Sequence, residues 1–272
     1  MRRVVDREPA EAEVAGPQLL ALGSLIRELR RDLGLTQDQA AKLAGVSRSA
    51  YSKWEEGARK PRVEHIERVG KVLEADEWRY RKMMSLVSSA VSIQIGMWPP
   101  ELNGEDIDIL ENFGFPAMYR RLPDYGIIHI NSLAEQVYPM FAPAPPEARH
   151  PTNMIEVMFT DIRSKIVFVD WEMVAWRMTY MMRLWSRGIA PEILSEIQEN
   201  CTRASPDFAG MWAERPPPEY FANNRISVRD LHTRAVSHYT LCSWLTNYPP
   251  RPFEILGTPR RSAELVAREM TP

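Results

Sequence analysis

The stretch "TQDQAAKLAGVSRSAYSKWEEG", Thr36 to Gly57, decides how the first part of this chain folds. Thr36 with Gln39 three residues later has the spacing of a capping box, which starts a helix. Gly45 ends that helix, and Ser47 is a good N-cap for a second helix that ends near Gly57. The pattern therefore predicts two short helices joined by a sharp turn.

The side chains of this stretch separate into an inner and an outer set. Ala40 and Ala41 are small, so the second helix of the pair can approach the first closely. Tyr51 and Trp54 lie three residues apart and share the face that turns toward the core. That arrangement leaves a polar outer face at the start of the second helix: Arg48, Ser49, Ser52 and Lys53.

Flanking segments extend this unit to five helices. An apolar stripe at helical spacing precedes it, formed by Leu22, Leu25, Ile26, Leu29 and Leu33. Gly34 ends that first helix, Pro61 suits the entry to a fourth, and a fifth follows Asp76. We predict an all-α domain over 19–84, preceded by a charged, Pro- and Ala-rich arm over 1–18.

Charge supports a nucleic-acid partner only locally. The 272-residue chain has a net charge of −2, which excludes a general attraction to polyanions. Between Leu20 and Met84, however, 14 Lys and Arg face 10 Asp and Glu, a local charge of +4. A basic first domain in an otherwise acidic chain is typical of a DNA-binding protein. A helical hairpin with solvated charges, or one that binds protein, can have the same local charge.

The first domain resembles the xenobiotic-response-element family of helix-turn-helix regulators, which is related to phage repressors of the lambda type. The matching residues are Leu35-Thr36-Gln37, Ala41, Gly45-Val46-Ser47, Glu55 and Gly57. The resemblance implies that Gln37 touches a DNA phosphate and braces the recognition helix. It also implies two sets of contacts, to base edges from Arg48, Ser49 and Lys53, and to the DNA backbone from Ser47, Ser52, Arg59 and Lys60.

The second half of the chain has a different sequence pattern, in which predicted strands accompany the helices. A connector over 85–112 contains the helix breakers of "MWPPELNGEDID". "GIIHIN", 126–131, predicts a buried strand whose last residue, Asn131, caps the next helix. Further strands are predicted at "RISVRDL", at "SHYTLCSWL" as one alternating strand, and at "PFEILG". Strands at both ends of a helical section predict an α+β domain over 113–260 with an antiparallel sheet, followed by a tail over 261–272.

One helix in this half is apolar nearly all round. Asp170 is placed to cap "WEMVAWRMTYMMRLWSRG", and such a helix is expected to be largely buried. Together with the preceding "NMIEVMFTD" it concentrates methionine, whose flexible side chain adapts to variable apolar guests. These methionines are either core filling or the lining of a pocket.

This half resembles the ligand-binding domain of MmyB-like transcription regulators, through "PAMYRRLPDYGIIHIN", "NMIEVMFTD", "DWEMVAWRMTYMMR" and "ASPDFAGMWAER". The resemblance implies a PAS-like fold that holds a small molecule, with fatty acid as a known type of ligand. The predicted ligand contacts are Met154, Met158, Met173, Val174, Met178, Met181 and Met182. The candidates to anchor an acidic headgroup are Arg163, Arg177, Arg183 and Tyr180.

We therefore expect a cytoplasmic, homodimeric transcription regulator that binds double-stranded operator DNA and an apolar small-molecule effector. The alternative is an antitoxin-like or scaffold DNA-binding protein whose second domain binds a protein partner. We expect no catalysis, because no nucleophile elbow, phosphate-binding Gly loop or metal-ligand cluster is present. We also expect no metal, no cofactor beyond a bound fatty acid or other apolar ligand, and no membrane partner, since no apolar run approaches about 20 residues.

Overall fold

A computed structural model of the chain describes residues 16–88, 102–247 and 250–262. The chain forms two compact units that divide between Ser89 and Ala90, inside the stretch predicted as a connector. The predicted arm lies outside the described residues apart from 16–18, and the predicted tail apart from 261 and 262.

The described part of the first unit, residues 16–88, is built from five helices, as predicted. They are α1 (Pro17–Asp32), α2 (Gln37–Leu43), α3 (Arg48–Glu56), α4 (Val63–Val72) and α5 (Glu77–Ser88).

Local capping positions α2 and α3. The hydroxyl of Thr36 accepts a hydrogen bond from the backbone N–H of Gln39 (3.2 Å), and the side chain of Gln39 accepts one from the backbone N–H of Thr36 (2.8 Å). The hydroxyl of Ser47 accepts from the backbone N–H of Ala50 (3.2 Å). Gly45 turns the chain between the two helices with a φ of 66°, a left-handed conformation that glycine adopts without strain. The predicted capping box, turn and N-cap are all confirmed.

The core of this unit includes the close contact between α1 and α3. Four residues of the predicted α1 stripe are buried, but Leu33, the residue after the helix, is 38% exposed. Its place in the stripe was wrong because the helix ends before it. Gly23 makes the close approach possible, since a Cβ there would lie 2.5 Å from the backbone oxygen of Glu55.

The second unit contains an antiparallel sheet, which confirms the predicted fold class. Its strands are β1 (Ala117–Arg121), β2 (Ile127–Ile130), β3 (Arg225–Arg229), β4 (Val236–Thr240), β5 (Cys242–Asn247) and β6 (Pro250–Gly257). Four strands form one sheet in the order β2-β1-β6-β5, and β3 pairs with β4 in a separate hairpin.

Seven α-helices of the described residues complete this unit. They are α6 (Gly104–Glu111), α7 (Ser132–Val137), α8 (Met154–Thr160), α9 (Ile162–Val167), α10 (Trp171–Trp185), α11 (Pro191–Ala204) and α12 (Asp207–Ala213). Helix α6 falls in the stretch predicted as a connector, and a capping box of Asn103 and Asp106 starts it.

Two other local predictions differ from the structure. The strand predicted at "SHYTLCSWL" is two strands, because Tyr239 pairs with Ile226 of β3 while Cys242 pairs with Gly257 of β6. The chain therefore changes sheets at Leu241. Asp170 occupies the N-cap position of α10, but its side chain makes no capping hydrogen bond.

Asn131, in contrast, does more than cap a helix. Its side-chain oxygen accepts from the backbone N–H groups of Ala134 (2.9 Å) and Ala117 (3.0 Å). Its amide donates to the carbonyls of Leu110 (3.1 Å) and Phe115 (3.0 Å). One buried side chain thus ties α6, β1 and α7 together.

Candidate nucleic-acid interface and effector cavity

The start of α3 carries an exposed polar surface. Four of the predicted DNA contacts on and beside this helix are exposed, namely Ser47, Arg48, Ser49 and Lys53. Ser52 is half-buried, and its hydroxyl donates to the carboxylate of Glu56 (2.7 Å). Arg59 and Lys60, in the loop after α3, are exposed, while Gln37 at the start of α2 is half-buried.

Two aromatic residues hold the inner face of α3. Tyr51 is 0% exposed and Trp54 is 3% exposed, and their ring centroids lie 6.3 Å apart. Trp54 also packs on His65 of α4 at a centroid distance of 5.1 Å. The burial of these rings fixes the rotation of α3, so its polar residues must face solvent.

A buried carboxylate ties α3 to both preceding helices. Glu55 is fully buried and accepts hydrogen bonds from Nε of Arg30 (2.6 Å) and Nε2 of Gln37 (2.8 Å). Nε of Arg27 lies 3.6 Å from the same carboxylate. The hydrogen bond that Arg30 donates to Glu55 raises the pKa of Arg30, which keeps that guanidinium charged. Gln37 therefore contacts α3 directly. Bracing this helix is one of the two roles that the resemblance implies for Gln37.

A basic groove of about 380 Å³ adjoins the exposed surface of α3. Its described lining includes the cations Arg59, Lys60 and Arg62 and no carboxylate. Trp54 and His65 also line it, and the buried atoms Nε1 of Trp54 and Nδ1 of His65 have no hydrogen-bond partner in the described part of the chain. The three cations are exposed, so this groove suits an anionic ligand such as a phosphate group.

The second unit contains a mainly apolar cavity of about 70 Å³. Its lining residues come from well-separated parts of the chain: Met118, Arg120, Tyr138, Phe141, Met154, Phe168, Val174, Arg177, Met178, Ile226, Leu241, Leu256 and Thr258.

The cavity brings together three of the seven predicted ligand contacts, Met154, Val174 and Met178. The other four are absent from its lining. Of these, Met158 and Met182 are buried and Met173 and Met181 are half-buried. Because α10 is apolar on nearly all sides, its sequence alone does not show which side faces the cavity.

Sequence reasoning missed the lining that comes from outside α8 and α10. Phe141 and Phe168 form one aromatic wall with Tyr138, whose ring stacks on Phe168 at 5.8 Å. Leu256 belongs to β6 and Met118 to β1, and the two are paired across the sheet. The only sequence signal for these residues was their apolar character, which core residues share.

The polar groups of the cavity differ in their partners. The guanidinium of Arg120 pairs with the carboxylate of Glu254, with an N–O distance of 2.6 Å. The hydroxyl of Tyr138 hydrogen-bonds to the hydroxyl of Thr258 (3.2 Å). The guanidinium of Arg177 donates instead to backbone carbonyls, and burial lowers its pKa.

The structure separates the four anchor candidates. Arg177 lines the cavity. Arg163 is exposed and pairs with Asp161 at 2.6 Å. Arg183 donates to the carbonyls of Trp212 (2.7 Å) and Glu214 (2.6 Å), and Tyr180 is buried with the Arg183 guanidinium 5.1 Å from its ring.

Within the described ranges, no three His, Cys, Asp or Glu side chains gather closely enough to hold a metal ion. No described helix has the length and apolar character needed to span a membrane.

Comparison with known proteins matches two separate parts of the chain to two different families. Residues 26–76 match the family model for a helix-turn-helix, and residues 114–240 match the family model for the MmyB-like transcription regulator ligand binding domain. Among solved structures, the chain is similar to the restriction-modification controller protein C.AhdI from Aeromonas hydrophila. The two are 31% identical over 24% of this chain and 94% of that chain, with a TM-score of 0.22. No curated protein matches the chain.

Proposed function

We propose that this chain, which combines a helix-turn-helix domain with the ligand-binding domain of MmyB-like transcription regulators, binds operator DNA through α3 and responds to an apolar small molecule. Both activities are binding activities, and the proposal includes no catalytic step. We further propose that the protein acts as a homodimer on a near-palindromic site whose half-sites are about one helical turn apart.

The exposed start of α3 carries the DNA-binding part of the proposal. A recognition helix enters the major groove with the residues of its N-terminal part, and Arg48 and Ser49 occupy that part. An arginine pairs with O6 and N7 of guanine, whereas a serine accepts several bases. The buried Tyr51, Trp54 and Glu55 hold the helix rigidly in this orientation.

Backbone contacts are proposed for the residues around the basic groove. Ser47, Arg59 and Lys60 line it and are exposed, so their hydroxyl and positive charges can meet a DNA phosphate beside α3. Each neutralised phosphate releases counterions, so the affinity for DNA must fall steeply as the salt concentration rises.

The cavity supports the sensing part of the proposal. Its apolar walls with a few polar groups have the character of a small-molecule site, but its volume of about 70 Å³ is far below the roughly 300 Å³ or more of such sites. A guest must therefore displace flexible residues such as Met154 and Met178. An effector with different affinities for the closed and opened states shifts the protein between them. A fatty acid is the effector type that we propose.

Site selection tests the DNA-binding part with matched variants. Random double-stranded DNA is selected with the full chain, with Arg48→Ala and with Arg81→Ala, which removes the same charge from an exposed residue of α5. We expect Arg48→Ala to lose the preference at one base position, a loss of about tenfold to a hundredfold, and Arg81→Ala to keep it. An identical selected sequence for all three proteins contradicts the role of α3.

The DNA sequence selected in this way is then used to test the phosphate contacts. We expect Arg59→Ala to weaken binding to selected and unselected DNA alike, and to reduce the slope of log affinity against log salt by about 1. A slope equal to that of the unmodified protein contradicts the backbone contact.

A further inference from the structure

Arg177 brings a positive charge to the wall of the apolar cavity. It lies on α10, beside Met178, and it is half-buried. Its guanidinium donates hydrogen bonds to three backbone carbonyls, those of Tyr220, Asn223 and Arg225, the last at 3.2 Å. These carbonyls fix the position of the guanidinium but carry no net charge.

The other polar groups of the cavity are satisfied within the protein. Arg120 has a full counter-charge in Glu254, and Tyr138 bonds to Thr258, whose hydroxyl in turn donates to the carbonyl of Pro116 (3.3 Å). Within residues 16–88, 102–247 and 250–262, no carboxylate forms an ion pair with Arg177. Among the described lining residues, Arg177 is therefore the cation that has no carboxylate as an ion-pair partner.

Acidic residues do lie in this region. Asp170, Glu172 and Glu219 act on the hydroxyl of Tyr220, whose pKa they raise in addition to the effect of burial. None of them is within 4.0 Å of the Arg177 guanidinium. Burial alone lowers the pKa of Arg177, so these carboxylates do not act as its counter-charge.

Some N–H donors of the Arg177 guanidinium remain available to an anionic ligand. An arginine carries five N–H groups, one on Nε and two on each of Nη1 and Nη2. Three of them bond to the carbonyls, which leaves one on Nη1 and one on Nη2. A carboxylate that accepts from both terminal nitrogens forms a charge-assisted pair of hydrogen bonds, about twice as strong as neutral ones.

We propose that Arg177 is the residue that makes this cavity select an apolar carboxylic acid over a neutral apolar molecule of the same length. The carboxylate binds the terminal nitrogens of Arg177, and the alkyl chain enters between Met154, Val174 and Met178. The three carbonyl bonds hold the guanidinium in place before the acid arrives, so little side-chain freedom is lost on binding. This inference rests on the proposed binding of an apolar effector in the cavity.

Isothermal titration with two probes tests this selection. Decanoate and 1-decanol have the same chain length and differ in the charge of the headgroup. We expect the unmodified full chain to bind decanoate at least about tenfold more tightly than 1-decanol, the range of a hydrogen-bonded charge pair.

Three variants make the test specific. Arg177→Gln removes the charge but keeps an amide donor for the carbonyls, and we expect its preference for decanoate to disappear. Arg177→Lys keeps a point charge without the planar fork, and we expect a preference several-fold smaller than that of arginine. Arg163→Gln removes an exposed charge from the same domain, outside the cavity lining, and we expect the full preference.

The outcomes separate this inference from the proposed function. Equal binding of the two probes to the unmodified protein, or a full preference in Arg177→Gln, overturns the role of Arg177 and leaves apolar sensing intact. If Arg177→Gln does not fold, an undiminished preference in Arg177→Lys overturns the role instead. Binding of neither probe overturns both this inference and the sensing part of the proposed function, while DNA binding is judged separately from the Arg48→Ala selection.

Discussion

Replacing Glu55 by glutamine tests the buried network that holds the recognition helix. The carboxylate is fully buried and accepts from Arg30 at 2.6 Å and 3.1 Å and from Gln37 at 2.8 Å. A glutamine keeps the shape but loses the charge, and it turns an N–H₂ donor toward other donors. Removing one partner of a buried ion pair costs about 3 to 5 kcal/mol. Because the Arg30 side chain is 12% exposed and regains some hydration, we expect the lower value, about 3 kcal/mol.

Native-state hydrogen exchange on the full chain measures this loss. The backbone N–H of Tyr51, bonded to the carbonyl of Ser47 at 3.0 Å, reports opening of α3. A loss of about 3 kcal/mol corresponds to a protection factor lower by about a hundredfold. The control is Glu56→Gln, an exposed neighbour on the same helix, for which we expect a change of about twofold at most. Equal protection in the two variants refutes the assigned role of Glu55.

Three further predictions concern stability and reactivity. Gly57→Ala should lower the free energy of unfolding in urea by more than Gly34→Ala does. Both glycines have a positive φ, but only at Gly57 would a Cβ lie against backbone atoms, those of Leu19 at 3.0 Å. Equal losses in the two variants contradict this prediction. Asn131→Ala should cost about 3 kcal/mol in the same assay, since it removes four buried or half-buried hydrogen bonds to the backbone; a loss below about 1 kcal/mol is inconsistent with that role. Iodoacetamide at pH 8 should label half-buried Cys242 before Cys201, whose pKa burial raises to about 12, and mass spectrometry showing the reverse order refutes this.

The helix-turn-helix was predictable because its signals are local. The capping box at Thr36, the N-cap at Ser47 and the left-handed turn at Gly45 each depend on residues within a few positions of one another. The buried faces of Tyr51 and Trp54 follow from helical spacing alone. The partners of Glu55 did not follow, because they lie 18 and 25 residues away in sequence.

The sheet was predicted in type but only partly in its strands. An alternating pattern marks a strand without naming its partner, so the change of sheets at Leu241 was not visible in "SHYTLCSWL". The multiple bonds of Asn131 were hidden for the same reason, since only its contact with Ala134 is local.

The cavity was the least predictable feature. Arg120 in its lining pairs with Glu254, which lies 134 residues away in sequence. Helix α10 offers apolar side chains in nearly every direction, so periodicity did not distinguish Met178, which lines the cavity, from Met182, which is buried elsewhere. Arg177 was one of four anchor candidates in the sequence, and only the fold places it in the cavity wall.

We propose that an apolar effector in the second domain changes how the first domain binds DNA. Fluorescence anisotropy with the selected operator, the full chain and saturating decanoate measures this coupling in one titration. We expect decanoate to change the Kd for operator DNA by at least about fivefold, the lower end of allosteric coupling, at constant salt. An operator Kd that is the same with and without bound decanoate contradicts this coupling.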